Sequence, residues 1–253
     1  TGVDGKPQGM PVTKGAGGPD EGGYFWMDDG EFQGLSFVWN DISEDGEQVA
    51  FDDPDDGLAE LNLPFDFPFY GEMQQDFVLG ANGLLSFNLL PTTGAPENVP
   101  LLAYSGALRN LVAPFWTDLN LSEGSVHTLY DEAGETFTIQ WTNAQLFVDD
   151  EEEDAGSYTF QVVLNASGNI SFRYLDMQGD LDVATVGVQP DRGDDALLIA
   201  YNTTFTKSLK AVNVSPSLPE WLSISMGSGT IAPGESLELT ASIDGSDFVN
   251  GSY

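Results

Sequence analysis

The chain has few of the side chains on which enzyme chemistry depends. His127 is the single histidine, and none of the 253 residues is a cysteine. Nucleophilic dyads and triads pair Ser or Cys with His, and structural zinc sites use Cys and His. The sequence has no Gly-x-Ser-x-Gly, His-Glu-x-x-His or phosphate-binding glycine loop. A carboxylate pair for glycoside hydrolysis stays open as an alternative, and we predict that the protein is not an enzyme.

Calcium binding is the better chemical hypothesis, because Ca²⁺ takes clustered oxygen ligands from loops. Asp41, Ser43 and Asp45 precede Gly46, and Asp52 follows at the twelfth position. This order partly fits the spacing of a calcium-binding loop. Two further acidic loops are candidates, namely Asp52, Asp53, Asp55 and Asp56, and Asp149, Asp150, Glu151 and Asp154. For each loop the alternative is an ordinary solvated turn between strands.

Other motifs have plainer alternatives. Arg192, Gly193 and Asp194 form the integrin-binding tripeptide, but three-residue matches are common by chance. Exposed aromatic rings stack on sugars, and the candidate platforms are Trp26, Trp39, Tyr70 and Tyr104. Sandwich cores use the same residue types, so a role in packing is the alternative. We expect His127 to be an ordinary surface residue.

The net charge of the chain disfavours some classes of binding partner and favours surroundings rich in salt. Seven Lys and Arg face 41 Asp and Glu, which gives a formal net charge of −34. Nucleic acid and anionic membranes are disfavoured as partners, because both are bound through Lys and Arg. A chain with this charge resists compaction unless salt or divalent cations screen it, which fits a salty extracellular setting. No run of 18 apolar residues occurs, so we expect no membrane span.

A hairpin predicted over residues 158–174 is the element around which the rest is organised. Phe160, Val162 and Leu164 share one face, and Phe172 and Tyr174 share a face after the Asn-Ala-Ser-Gly-Asn turn. Side chains two residues apart share a face only in a strand. The turn residues tolerate positive φ, as a short hairpin connection requires. We expect this hairpin to lie centrally in a β-sandwich.

The fold class predicted is all-β, with about eleven strands in an antiparallel sandwich. One strand is predicted over residues 35–39 and a short one over 58–63, followed by a proline-punctuated edge segment over 64–71. Residues 1–23 are rich in Gly and Pro and are predicted to form an arm or linker. The sandwich is predicted over 24–205. Residues 206–253 are predicted to be part of an immunoglobulin-like β module, which is truncated or completed by another chain.

Several motifs resemble a known family. The strings VLGANGLLSF (78–87), APFWTDL (113–119), TFQVVL (159–164) and ATVGVQ (184–189) occur in the order of the nidogen-like sandwich of secreted bacterial surface proteins. GGPDEGGYFW (17–26) and WNDIS (39–43) are similar to the start of its bacterial form. WLS (221–223) and GTIAPGES (229–236) resemble immunoglobulin-like repeats of the BACON kind. The resemblance implies an extracellular, non-catalytic module and supplies no catalytic residue.

These observations together predict a structural or adhesive module of a bacterial surface or secreted protein, with Ca²⁺ as a candidate stabilising ion and no cofactor established. The partners expected are other extracellular or surface protein domains, self-assembly included. Three alternatives stay open: a carbohydrate-binding module that takes a glycan, an accessory domain of a secreted protease, and a filament subunit completed by strand donation.

Overall fold

The structure is a computed structural model, and the residues that it describes are 15–30, 36–88, 97–101, 109–148, 154–192, 194–216, 222–224, 234, 236, 238 and 240–243. The chain divides into two compact units, Thr1–Pro216 and Ser217–Tyr253. In the first unit two antiparallel sheets form a sandwich, which confirms the predicted fold class.

The larger sheet contains nine of the described strands. Its order is β1-β2-β15-β12-β11-β10-β9-β3, and β8 pairs with β10 beside this path. The strands are β1 (Ala16–Gly17), β2 (Phe25–Asp28), β3 (Glu47–Gln48), β8 (Leu119–Asn120), β9 (Ser125–Asp131), β10 (Thr136–Leu146), β11 (Ser157–Asn165), β12 (Ile170–Gln178) and β15 (Lys210–Ser215). The predicted hairpin is the β11–β12 pair, with Leu164 opposite Ile170, and it lies near the middle of this sheet.

The smaller sheet contains six of the described strands in the order β14-β13-β7-β6-β5-β4. These are β4 (Leu58–Phe69), β5 (Glu72–Gly80), β6 (Leu84–Ser86), β7 (Leu111–Trp116), β13 (Thr185–Gln189) and β14 (Leu197–Tyr201). Strand β4 lies at an edge and includes Pro64 and Pro68, so the predicted short strand and edge segment are one long strand. Its pairing with β5 is irregular between Asn62 and Phe67. Prolines and bulges are tolerated at an edge because no further ladder has to form there.

Aromatic side chains from both sheets meet in the core. The rings of Trp141 and Phe160 stack at 4.9 Å within the larger sheet, and Phe115 of the smaller sheet lies 5.6 Å from Phe160. All three side chains are fully buried. The alternation that predicted the hairpin therefore arises from contact between two sheets across one apolar layer.

The outer face of the larger sheet is covered by residues 36–46, which we call the cover segment. Gln161 donates its side-chain N–H to the Asn40 carbonyl at 2.7 Å, and Gln140 accepts from the Ile42 N–H at 3.1 Å. The strand predicted over 35–39 is wrong for residues 36–39, which lie outside any strand. Apolar alternation in this stretch reflects packing of an irregular segment on a sheet, which periodicity alone does not distinguish from a strand.

The domain boundary differs from the one predicted at residue 206. Strand β15 pairs with β12 and β2 in the larger sheet, so the sandwich continues to Pro216. In the second unit β16 (Leu222–Ile224) pairs antiparallel with β17 (Ala241–Ile243). The immunoglobulin-like character of that unit stays a prediction. Within the described residues, no helix has the length and apolarity that a membrane crossing requires.

Candidate functional site

A group of aspartate and tyrosine side chains fastens the N-terminal segment to the sandwich. We call Asp20, Tyr24, Tyr70 and Asp195, with the backbone of residues 21–22, the arm anchor. The Tyr70 hydroxyl donates a hydrogen bond to Asp20, whose carboxylate also accepts the Tyr24 N–H at 2.8 Å. The Tyr24 and Tyr70 rings stack at 4.2 Å, and the Tyr24 hydroxyl accepts the Tyr70 N–H at 3.1 Å. Segment 20–24 is thereby held against the end of β4.

Asp195 makes the second half of the arm anchor. Its carboxylate is buried and accepts the Glu21 N–H at 3.1 Å and the Gly22 N–H at 2.7 Å. Arg192 donates to the same carboxylate at 3.1 Å. Gly22 packs so closely on the Tyr70 ring that a Cβ atom at this position would lie 2.3 Å from it. A residue without a side chain is therefore required there.

Desolvation dominates the electrostatics of the arm anchor. Burial raises the pKa of Asp20 above its ordinary value, against the opposing effect of the Tyr70 hydrogen bond. Burial likewise raises the pKa of Tyr24 to about 12 and shifts the pKa of Tyr70 strongly upward, with the bond to Asp20 as a further cause. Both tyrosine hydroxyls are therefore neutral at physiological pH, and the Tyr70 hydroxyl keeps the proton that it donates to Asp20.

A second polar group lies inside the core. Lys210 on β15 and Asp28 on β2 form an ion pair whose side chains are only 7% and 9% exposed. The ammonium group lies 4.3 Å from the centre of the Phe205 ring, and the other Asp28 oxygen accepts the Gly30 N–H at 3.0 Å. A buried charge without a partner is very costly, so each side chain requires the other.

This ion pair escapes prediction from the sequence for an identifiable reason. The predicted boundary places Asp28 in the sandwich over 24–205 and Lys210 in the second module over 206–253, so no contact between them was expected. A signal is nevertheless present, because Lys210, Val212 and Val214 alternate along one strand. Lys210 therefore shares the inward face with two buried valines.

The first calcium candidate has a structural use in the described chain. Asp41 accepts from the Gln140 side chain at 2.8 Å and from the Ser43 N–H at 3.0 Å. The bond from Gln140 is the main cause that lowers the pKa of Asp41. Asp45 is exposed in the following turn, which the Gly46 N–H closes on the Ile42 carbonyl at 2.8 Å. This loop attaches the cover segment to the sheet.

The second candidate loop brings carboxylates together. Asp53 accepts the Asp55 N–H at 3.0 Å, and Asp56 accepts from the Asn82 side chain at 3.0 Å. Burial, followed by the charges of Asp56 and Asp53, raises the pKa of Asp55. Asp52 is exposed at the start of this loop. Among the described residues no three acidic or histidine side chains are grouped so that they could hold a metal ion. Calcium binding therefore stays a prediction.

The third candidate loop is only partly described. Asp149 and Asp150, together with Glu151, lie outside the described residues. Asp154 accepts the Gly156 N–H at 3.0 Å, which is the pattern of a local turn.

The remaining motifs are found in separate places. His127 is half-buried on β9, facing the cover segment, and its Nδ1 has no hydrogen-bond partner within the described chain. Arg192 is paired with Asp194 and Asp195 on its own loop. Of the aromatic candidates, Trp26 is buried, Trp39 stacks on Phe37, Tyr70 belongs to the arm anchor and Tyr104 lies outside the described residues.

The fold defines the protein as an antiparallel β-sandwich module whose best-formed polar groups hold its own segments together. A family model described as NIDO related matches residues 31–220. The match covers most of the chain, and the chain belongs to this nidogen-related family. No solved structure matches the chain. The bacterial source and the BACON-type repeat stay predictions.

Proposed function

We propose that this protein is a non-catalytic structural module of an extracellular protein, in a bacterial surface or secreted context, and that it bears tension along the chain. The nidogen-related family supports an extracellular structural role. The observation that carries the mechanical part is the placement of the first strand of the sandwich, β1, and the last, β15, on either side of β2 in one sheet.

The register of these strands decides how tension acts. Strand β1 begins beside the end of β2, where the Asp28 N–H donates to the Gly15 carbonyl at 2.7 Å. Strand β15 ends beside the start of β2, with Ser215 opposite Phe25. The chain therefore enters β1 beside one end of β2 and leaves β15 beside the other end of β2. Tension between these two points pulls the strands past one another and loads their hydrogen bonds together, since these bonds lie across the strand direction.

The arm anchor supports the same role. If β1 detached, tension would pass through residues 18–24 to the start of β2, which lies beside the end of β15. There the strands would separate one hydrogen bond at a time. Asp195 and Tyr70 hold residues 20–22 to the other sheet and block this peeling route.

Force spectroscopy tests the proposal, and the absence of cysteine makes the attachment points unambiguous. Handles on the Lys14→Cys, Ser217→Cys chain load the strands lengthwise. Handles on the Glu21→Cys, Ser217→Cys chain load the arm anchor first and, once it releases, peel β2 from β15. We expect a clearly higher unfolding force in the first geometry. Equal forces would contradict the mechanical role. A saturable glycan affinity or a measurable hydrolysis rate would instead favour the carbohydrate-binding or enzymatic alternative.

Calcium stabilisation is part of the proposal. Burial and, after it, the charges of Asp56 and Asp53 raise the pKa of Asp55, and a bound divalent cation would offset the repulsion between these carboxylates. Millimolar calcium is expected to raise the melting temperature above that of an ionic-strength-matched sodium control. The Asp55→Asn chain should lose most of this gain. An equal melting temperature in calcium and in chelator would refute calcium stabilisation without affecting the force experiment.

A further inference from the structure

The Asp28–Lys210 pair has the ingredients of a covalent cross-link. Lys210 Nζ donates a hydrogen bond to an Asp28 carboxylate oxygen, so the amine and the carboxyl group are in direct contact. Both side chains are buried on the inward face of adjacent strands, where the Phe205 ring packs on Trp26 at 5.5 Å. An amine and a carboxyl group held together away from water are the two reactants of amide formation.

We propose that Asp28 and Lys210 are a self-modification site, at which the Lys210 amine and the Asp28 carboxyl group condense to an intramolecular amide. The ammonium group first passes a proton to the carboxylate, which gives a neutral amine and a neutral acid. Nζ then attacks the carboxyl carbon, the new C–N bond forms, and the C–O bond breaks. The hydroxyl group leaves with a proton from nitrogen as one water molecule. The step needs no oxidant, reductant or other reactant.

Three features of the site favour this step. The fold holds the two groups in contact, which replaces a bimolecular encounter with an intramolecular one. The Gly30 N–H binds the second Asp28 oxygen at 3.0 Å, where negative charge develops when the amine attacks. The site is apolar and nearly closed to solvent, so bulk water is largely kept from the reacting groups and from the amide once it has formed.

The position of the cross-link gives it a mechanical consequence. Asp28 and Lys210 are 182 residues apart in sequence and lie on the neighbouring strands β2 and β15. An amide between them would enclose nearly the whole sandwich in a covalent ring. Tension on the two ends would then pass across the amide, and the residues between Asp28 and Lys210 could not extend.

Intact mass spectrometry of the denatured full-length chain tests the proposal without any variant. We expect the main species to be one water molecule lighter than the sequence requires. We also expect trypsin to cleave after Lys207 and not after Lys210, whose amine would be blocked. A main species at the full sequence mass, with cleavage after Lys210, would overturn the proposal.

Variants separate the cross-link from other losses of water, such as a succinimide at an Asp-Gly sequence. Lys210→Met should restore the full calculated mass, whereas Lys207→Met, an exposed lysine three residues earlier, should keep the deficit. Hydroxylamine opens a succinimide and leaves the amide intact. A deficit that survives Lys210→Met, or that hydroxylamine removes, would also overturn the proposal. If Lys210→Met does not fold, the wild-type mass and tryptic map still decide.

Discussion

Two polar groups attach the N-terminal segment to the sandwich, and they use aspartate in different ways. In the core, Asp28 faces a single cation, Lys210, and both side chains are almost fully buried. In the arm anchor, Asp20 and Asp195 are bound mainly by a tyrosine hydroxyl and backbone N–H groups. The core pair depends on charge compensation, whereas the arm anchor depends on the geometry of many donors. Loss of one partner should therefore cost far more in the core.

The largest expected effect comes from Lys210→Met, which leaves the Asp28 charge buried and unpaired. We expect the free energy of unfolding to fall by about 3–5 kcal/mol, measured by chemical denaturation. The control Lys207→Met, at an exposed site, should change it by less than about 0.5 kcal/mol.

The double replacement Asp28→Leu, Lys210→Met separates charge from covalent bonding. If only the ion pair is present, the apolar pair should recover most of the lost stability, because it fills the same volume without a desolvation cost. No recovery, together with an unmodified wild-type mass, would show that charge compensation is not what the core pair depends on.

Gly22→Ala should have the next largest effect, because its Cβ would meet the Tyr70 ring at 2.3 Å. Segment 20–24 must then move away from β4, and we expect a loss of about 1–3 kcal/mol in denaturation experiments. Glu21→Ala is the matched control, since Glu21 is exposed and its contribution to the anchor is its backbone N–H. If both variants behaved alike, close packing on Tyr70 would not be what holds the arm.

Tyr70→Phe tests the hydroxyl alone and keeps the ring stacked on Tyr24. Asp20 loses its side-chain donor, and we expect a loss of about 1–2 kcal/mol. Hydrogen exchange at the Gly22 amide should accelerate at the same time, because residues 20–22 are held as a unit. Unchanged exchange would show that Asp195 alone fastens the segment.

The smallest effect expected is on the pH dependence of stability. The pKa of Asp20 in the folded protein is raised above its ordinary value of 3.8, mainly by burial. The folded state therefore binds this proton more readily than the unfolded state, and the contribution of Asp20 to stability increases as pH falls from above the raised pKa to about 3.8.

Asp41 should behave in the opposite sense. Its pKa is lowered, chiefly by the bond from Gln140, so its stabilising contribution is complete above 3.8 and is lost as pH falls through the lower folded pKa. The test is the free energy of unfolding of the wild type minus that of each variant, Asp20→Asn or Asp41→Asn, measured from pH 7 down to acid. Plotted against pH, the two differences should have slopes of opposite sign. Slopes of the same sign would contradict the assigned environments.

The sequence could predict the parts of this fold that follow from local alternation and turn chemistry. The β11–β12 hairpin, the strands from β5 to β7 and the pair β13–β14 all have a clear period of two or a strong turn signal. The cover segment could not be predicted in this way, since it is held to the sheet by hydrogen bonds with Gln140 and Gln161 without forming a strand in residues 36–46. Strand β15 was missed because a shift in composition after residue 206 indicated a domain boundary there. In the structure β15 lies beyond that boundary and still pairs with β12 in the larger sheet.

The amino-acid sequence by itself determined the fold class, the central hairpin and the scarcity of groups for enzyme chemistry, because these depend on residue type and short-range order. Tertiary structure alone decided which aspartates matter. Asp20, Asp28 and Asp195 are three of 41 acidic residues, and no local feature separates them from the others. Their partners Tyr70, Lys210 and the Glu21–Gly22 backbone lie 50, 182 and more than 170 residues away in the chain. Only the stacking and pairing of the two sheets brings them together.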